Sequence, residues 1–136
     1  MAGVAFRVHP NPRHVRSRPN KTVALVAVLF GILTVVAGSR VLRGADPGYT
    51  VFSPLLYFNT AMGVAYIAVG LLAWRGHRSA LVGAGTIVAL NVLALAAIAV
   101  VAARGGSVAA TSLGAMTFRV AVWVVLLALL SRGQSP

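Results

Sequence analysis

Residues 113–130 read LGAMTFRVAVWVVLLALL, an apolar run interrupted by one charge, Arg119. A helix of that length rises about 27 Å at ~1.5 Å per residue, close to the ~30 Å of hydrocarbon in a bilayer. A charge inside such a span costs about 2.5–3.5 kcal/mol on insertion scales. It is tolerated where it faces the interior of a bundle or a wet cavity, and it normally has a partner. The run therefore defines the class of fold and its main functional question together: what Arg119 meets.

Three further apolar runs precede it, at about 22–39 (TVALVAVLFGILTVVAGS), 54–74 (PLLYFNTAMGVAYIAVGLLAW) and 80–103. None alternates polar and apolar residues with the period of two that a membrane β-barrel needs. The whole chain of 136 residues is 59% hydrophobic and 10% charged, against roughly a quarter charged in ordinary globular domains. So much apolar surface has to face lipid. The expected fold is an all-α integral membrane protein with four transmembrane helices in an up-down antiparallel bundle. The transmembrane unit spans 22–131, between a basic tail at 1–21 and a short tail at 132–136. Pro10, Pro12 and Pro19, among like charges, predict a disordered first tail.

Charge sets the orientation. Twelve Lys and Arg face one acid, Asp46, for a formal net charge of +11. Arg7, Arg13, Arg16, Arg18, Lys21, Arg75, Arg78 and Arg132 fall on one side of the membrane, and Arg40, Arg43 and Arg104 on the other. The positive-inside rule then puts both termini in the cytoplasm. Arg13, Arg16, Arg18, Lys21, Arg75 and Arg78 are placed to meet anionic lipid headgroups, so the bilayer, and not nucleic acid, is the partner that this charge implies. The first run is too long for the usual signal-peptide core and is followed by further helices, so it is expected to stay as a helix rather than be cleaved. Arginine dominates the basic residues, and Ala, Val and Gly abound. That usage points to a bacterial cytoplasmic membrane.

The connections suit this plan. Residues 40–53 carry the turn signal Asp46-Pro47-Gly48 with Tyr49 and Phe52, 75–79 are short enough for a tight hairpin, and 104–112 contain Gly and Ser. Small residues recur at helical spacing: Ala27, Gly31 and Gly38 in the first helix, Gly63 and Gly70 in the second, Gly85 and Ala89 in the third. They let backbones approach closely, within one bundle or between copies in a homo-oligomer or larger membrane complex.

Several functions are excluded or disfavoured by residue type. Without cysteine there are no thiolate metal sites, disulfides or thiol redox chemistry. No Asp, Glu or His lies within the four runs to carry a coupled proton. His9, His14 and His77 lie in tail or loop, so neither a haem nor a zinc site is supported, and no cofactor or metal is expected. One loop carboxylate is a poor start for general acid–base work, and no enzymatic activity is expected. In size the chain resembles the small multidrug transporters, but it lacks their membrane glutamate. It also lacks the Gly-Arg opening and Thr-Thr-Phe-Ser run of the small fluoride channels. In layout it resembles small four-helix bacterial membrane proteins such as the DoxX-like group, a resemblance of size and helix count that carries over no residue role.

What remains is a polar layer. Counted from where the second and fourth runs begin, Asn59 and Arg119 share a depth of roughly 8–9 Å, with Tyr57, Thr60 and Thr117 alongside and Asp46 in the adjoining loop. Tyr66 continues the Asn59 face one step deeper, and Asn91 and Thr86 approach from the third helix. Trp123, one turn below Arg119, is placed for a cation–π contact or for packing. The leading expectation is an accessory or scaffold protein acting by helix packing. The alternative is binding or transport of an anionic small molecule or lipid headgroup, with Arg119 as the charged contact and Asn59, Tyr57, Tyr66, Asn91 and Asp46 around it. A third reading makes the basic tail the active part, recruiting an acidic partner or anionic lipid.

Overall fold

Every apolar run folds as one helix because lipid offers no hydrogen bonds and the backbone has to satisfy its own. The computed structural model describes residues 19–134, and among them α1 spans Lys21–Leu42, α2 Ser53–Trp74, α3 Ser79–Ala103 and α4 Ala110–Arg132. All four are long and apolar enough to cross a membrane, the pattern of a multi-pass membrane protein. The tail residues Arg13, Arg16 and Arg18 lie outside the described residues.

Local chemistry accounts for the helix limits. Asn20 caps α1, its side-chain oxygen accepting the Val23 N–H at 3.1 Å. Pro54 sits in the first turn of α2, where its missing N–H leaves no bond unmade. The C-termini share one device. Arg43, Arg75 and Arg104 close α1, α2 and α3, and each is followed by a glycine with positive φ: Gly44, Gly76 and Gly105. The amides just beyond, on Ala45, His77 and Gly106, reach back to the carbonyls of Arg40, Leu72 and Val101. This is the Schellman arrangement, which needs a left-handed residue, and the arginine adds positive charge at the negative end of the helix dipole. It explains why α1 continues three residues past the apolar run, through Arg40 to Leu42: arginine sustains a helix well, and the stop comes only at Gly44. At the other boundary that shifts, α4 begins at Ala110, so Thr111 and Ser112 are helical rather than loop.

The tightest contact is between α1 and α2. The buried face of α1 is Ala24, Ala27, Gly31, Thr34 and Gly38, with Val23 at its start. A Cβ placed on Gly31 would lie 2.7 Å from the Gly63 carbonyl oxygen, and one on Gly70 would lie 3.1 Å from the Ala24 carbonyl oxygen. Gly38 takes the side chain of Thr60 against it. The two backbones therefore touch antiparallel along their length, with Gly31 beside Gly63 and Ala24 beside Gly70. The small residues of α1 and α2 are consumed inside the chain, whereas Gly85 of α3 meets nothing within 4 Å and Ala89 is exposed.

Larger side chains join α3 and α4 to this pair. Tyr66 and Trp123 are fully buried, their ring centroids 4.9 Å apart, and Phe30 lies 5.6 Å from Tyr66. A second cluster, Leu55, Ile98 and Met116, packs nearer the 43–52 connection. Outward faces carry Leu33, Val82 and Leu93, each more than 60% exposed, as lipid contact requires. α1 packs on α2, α2 on α3 and α3 on α4, but α1 barely reaches α4, leaving one side of the bundle loosely closed.

Gly63→Leu is expected to cost about 1–3 kcal/mol or more, because backbone stands where the new side chain would go. Gly85→Leu, with open space around it, should change stability by less than about 0.5 kcal/mol. Unfolding in detergent micelles measures both, and equal losses would contradict the close α1–α2 contact.

Candidate functional site

Thr60, Thr117 and Thr86 are polar candidates of the helices, and Thr34 of α1 joins them in the structure. Each instead donates its hydroxyl to the carbonyl one turn back: Thr34 to Phe30, Thr60 to Leu56, Thr86 to Val82 and Thr117 to Leu113, at 2.8–2.9 Å. This back-bonding satisfies them within their own helix. The free polar groups lie elsewhere.

α2 and α4 bring Asn59 and Arg119 to one cavity of about 120 Å³. α1 supplies Thr34, Ala37, Gly38 and Val41, the α1–α2 connection supplies Tyr49, and the first turn of α4 supplies Ser112. A single water needs about 10–15 Å³ of such space, so there is room for several waters or a small polyatomic anion. A smaller space of about 50 Å³ continues from it toward the connection, past Val51 and Phe52, and shares Asn59 and Ser112. Asn59 lies about 9 Å along α2 from its first residue and Arg119 about 14 Å along α4. Arg119 is thus further from its helix start than the apolar run alone implies, because α4 begins earlier.

Both side chains carry an unmet hydrogen-bonding atom. Arg119 Nε and Asn59 Oδ1 are shut off from solvent and have no partner among the described residues. An unpartnered buried polar atom costs about 1–3 kcal/mol, and more when it is charged. Arg119 is not tied to Asp46. That carboxylate is exposed and accepts the Gly48 N–H at 2.8 Å within its own turn. Nor does Arg119 stack on Trp123, whose ring packs against Tyr66.

The remaining expected residues separate into other places. Tyr57 is 64% exposed on the outer face and lines no part of this cavity. Tyr66 and Asn91 are fully buried together: the Tyr66 hydroxyl donates to Asn91 Oδ1 at 3.1 Å, a bond between α2 and α3. Neither lines the cavity, so no continuous polar track descends from it. Asn91 Nδ2 and Trp123 Nε1 are left without partners in this core. At the opposite end of the bundle, Lys21 places its ammonium 5.6 Å from the Trp74 ring centre, and Arg75 and Arg78 are exposed beside the hairpin turn. His77 is there too, its Nδ1 accepting the Ser79 N–H at 3.1 Å at the start of α3.

Sequence reasoning missed Ser112, Tyr49 and Thr34 as cavity walls. Ser112 reads as loop until α4 is seen to begin at Ala110, and Tyr49 reads as an interfacial aromatic. Comparison with known proteins adds no assignment: no family model, no curated protein and no solved structure matches this chain.

Tyr66→Phe is expected to destabilise the bundle by about 0.5–1.5 kcal/mol, the range for hydrogen bonds between membrane helices. It strands Asn91, so adding Asn91→Leu should recover most of the loss. A double-mutant cycle on unfolding in detergent tests the pair; strictly additive effects would contradict the bond.

Proposed function

We propose that this protein is a non-enzymatic binding protein of a bacterial cytoplasmic membrane, holding a small ligand with an anionic or hydrogen-bonding group in the cavity around Arg119. The observation that carries the reading is the pair of unmet atoms, Arg119 Nε and Asn59 Oδ1, on the wall of one cavity. A charged group in a membrane helix is costly and is retained where it has work to do. A planar guanidinium takes carboxylate or phosphate oxygens in parallel hydrogen bonds, which a lysine cannot do.

The other polar groups support binding rather than bond-making. Asp46 is engaged in a turn and His77 caps a helix at the far end, so neither stands at the cavity. A scaffold role drew its support from small-residue faces, and those of α1 and α2 are used within the bundle. In the orientation set by the basic residues, both termini are cytoplasmic and the cavity opens toward the outer side. Lys21, Arg75 and Arg78, with Arg13, Arg16 and Arg18 of the tail, then meet anionic headgroups of the inner leaflet.

Native mass spectrometry of protein extracted gently from its own membrane is expected to show a reproducible adduct that Arg119→Leu loses. The variant should unfold at the same temperature or higher, since it removes an unpaired charge. A bare wild type, or an adduct that survives the substitution, would overturn the reading. The orientation has its own test. A reporter active only outside the cytoplasm is expected to work when inserted after Gly44 and to stay silent when fused after Gln134.

A further inference from the structure

Arg119 lines two spaces at once. One is the cavity shared with Asn59. The other is an apolar groove of about 240 Å³ on the outer side of the bundle, walled by Phe30, Leu33, Thr34, Ala37, Ala115 and Phe118. The two spaces share Thr34, Ala37, Ala115 and Arg119, so they meet along the seam between α1 and α4. That is the side where the helices barely touch. The seam is lined by two alanines that are themselves exposed, Ala37 and Ala115, and flanked by Leu33 and Phe118, which are 67% and 61% exposed. A passage from the lipid side to the half-buried Arg119 is built from small and apolar residues and Thr34, whose hydroxyl is held by its own helix.

A soluble anion entering from water would use the cavity and leave the groove without purpose. An amphiphile uses both. Its head also has to answer two different atoms: Arg119 Nε is a donor, and Asn59 Oδ1 is an acceptor. A fatty-acid carboxylate offers the second nothing to accept. A phosphodiester bearing a hydroxylated head group offers an anion to the arginine and a hydroxyl donor to the asparagine. We propose that the ligand is an anionic phospholipid of this kind, admitted sideways between α1 and α4, with its phosphate on Arg119, a head-group hydroxyl on Asn59 and one acyl chain along the Phe30–Phe118 groove. The proposal rests on the binding reading above and names the ligand class and its route.

The test uses full-length protein purified in a neutral detergent and three probes: phosphatidylglycerol, phosphatidylcholine with the same acyl chains, and glycerol 3-phosphate as a head without a tail. Native mass spectrometry with the two lipids at equal concentration is expected to show one phosphatidylglycerol retained over phosphatidylcholine by about two- to tenfold, the effect of one neutral hydrogen bond, from the head-group hydroxyl to Asn59. Arg119→Leu should remove that single adduct, leaving the weaker general preference of the basic ends. Leu33→Trp, which fills the groove and does not line the cavity, is a wedge that should remove it as well while leaving any thermal stabilisation by glycerol 3-phosphate in place. If that wedge prevents folding, Phe118→Glu on the facing helix, which sets a like charge in the path of the acyl chain and also lies outside the cavity, serves the same purpose. Stabilisation by glycerol 3-phosphate that depends on Arg119, with no preference for phosphatidylglycerol or with a preference that survives the wedge, would overturn the lipid route and leave the binding reading standing. Absence of any Arg119-dependent effect from all three probes would overturn both.

Discussion

Helices in lipid gain nothing from hiding apolar surface, so they must be held by close contact and hydrogen bonds, and here the close contact is concentrated between α1 and α2. Gly31 against Gly63 and Gly70 against Ala24 bring the two backbones together over several turns. The rest of the arrangement follows from that choice. Having spent its small-residue face on α2, α1 has only bulky, lipid-facing residues and a few alanines to offer α4. The bundle is therefore packed most closely between α1 and α2, less closely between α2 and α3 and between α3 and α4, and loosely between α1 and α4. Arg119 stands on that last side, between the partly open cavity that it shares with Asn59 and a more open apolar groove.

An arginine in that position is unusual for what it lacks. A buried charge is normally balanced by an opposite charge or by hydrogen bonds, since desolvation otherwise outweighs any gain. The sole carboxylate of the chain is committed to its own turn, and the nearby threonine hydroxyls are committed to their own helices. The contrast with Tyr66 and Asn91 is instructive. Those two polar groups, deeper in the same bundle, find each other at 3.1 Å, with the Tyr66 ring against Trp123, and neither lines the cavity that holds Arg119. One polar set is joined by a hydrogen bond within the core, and the other lines a cavity.

The four helices were legible in the sequence because length and hydropathy alone decide whether a segment crosses a bilayer. The helix ends were legible in principle too. An Arg-Gly pair stands at the close of every helix, at 43–44, 75–76, 104–105 and 132–133, and in the first three the glycine takes the left-handed conformation. A reading by hydropathy passes over this signal, since it attends to where oil stops rather than to where the backbone can turn. The tail, with Arg13, Arg16 and Arg18, lies outside the described residues, and its role rests on charge alone.

By itself the sequence determined the class of fold, the presence of a costly arginine and its approximate level beside Asn59, because each depends on residue type and on distance along a single helix. The tertiary structure alone decided which polar groups share a space. Helical spacing places Tyr57 only two residues from Asn59, yet successive residues on a helix are about 100° apart, and this step turns Tyr57 out to the lipid side. Likewise Ser112 and Tyr49 become cavity walls only through the start of α4 and the path of the α1–α2 connection. Whether Arg119 would meet Asp46 also lay beyond the sequence: the pairing of two side chains far apart in the chain depends on how loops fold and helices rotate against one another, and neither is encoded in spacing.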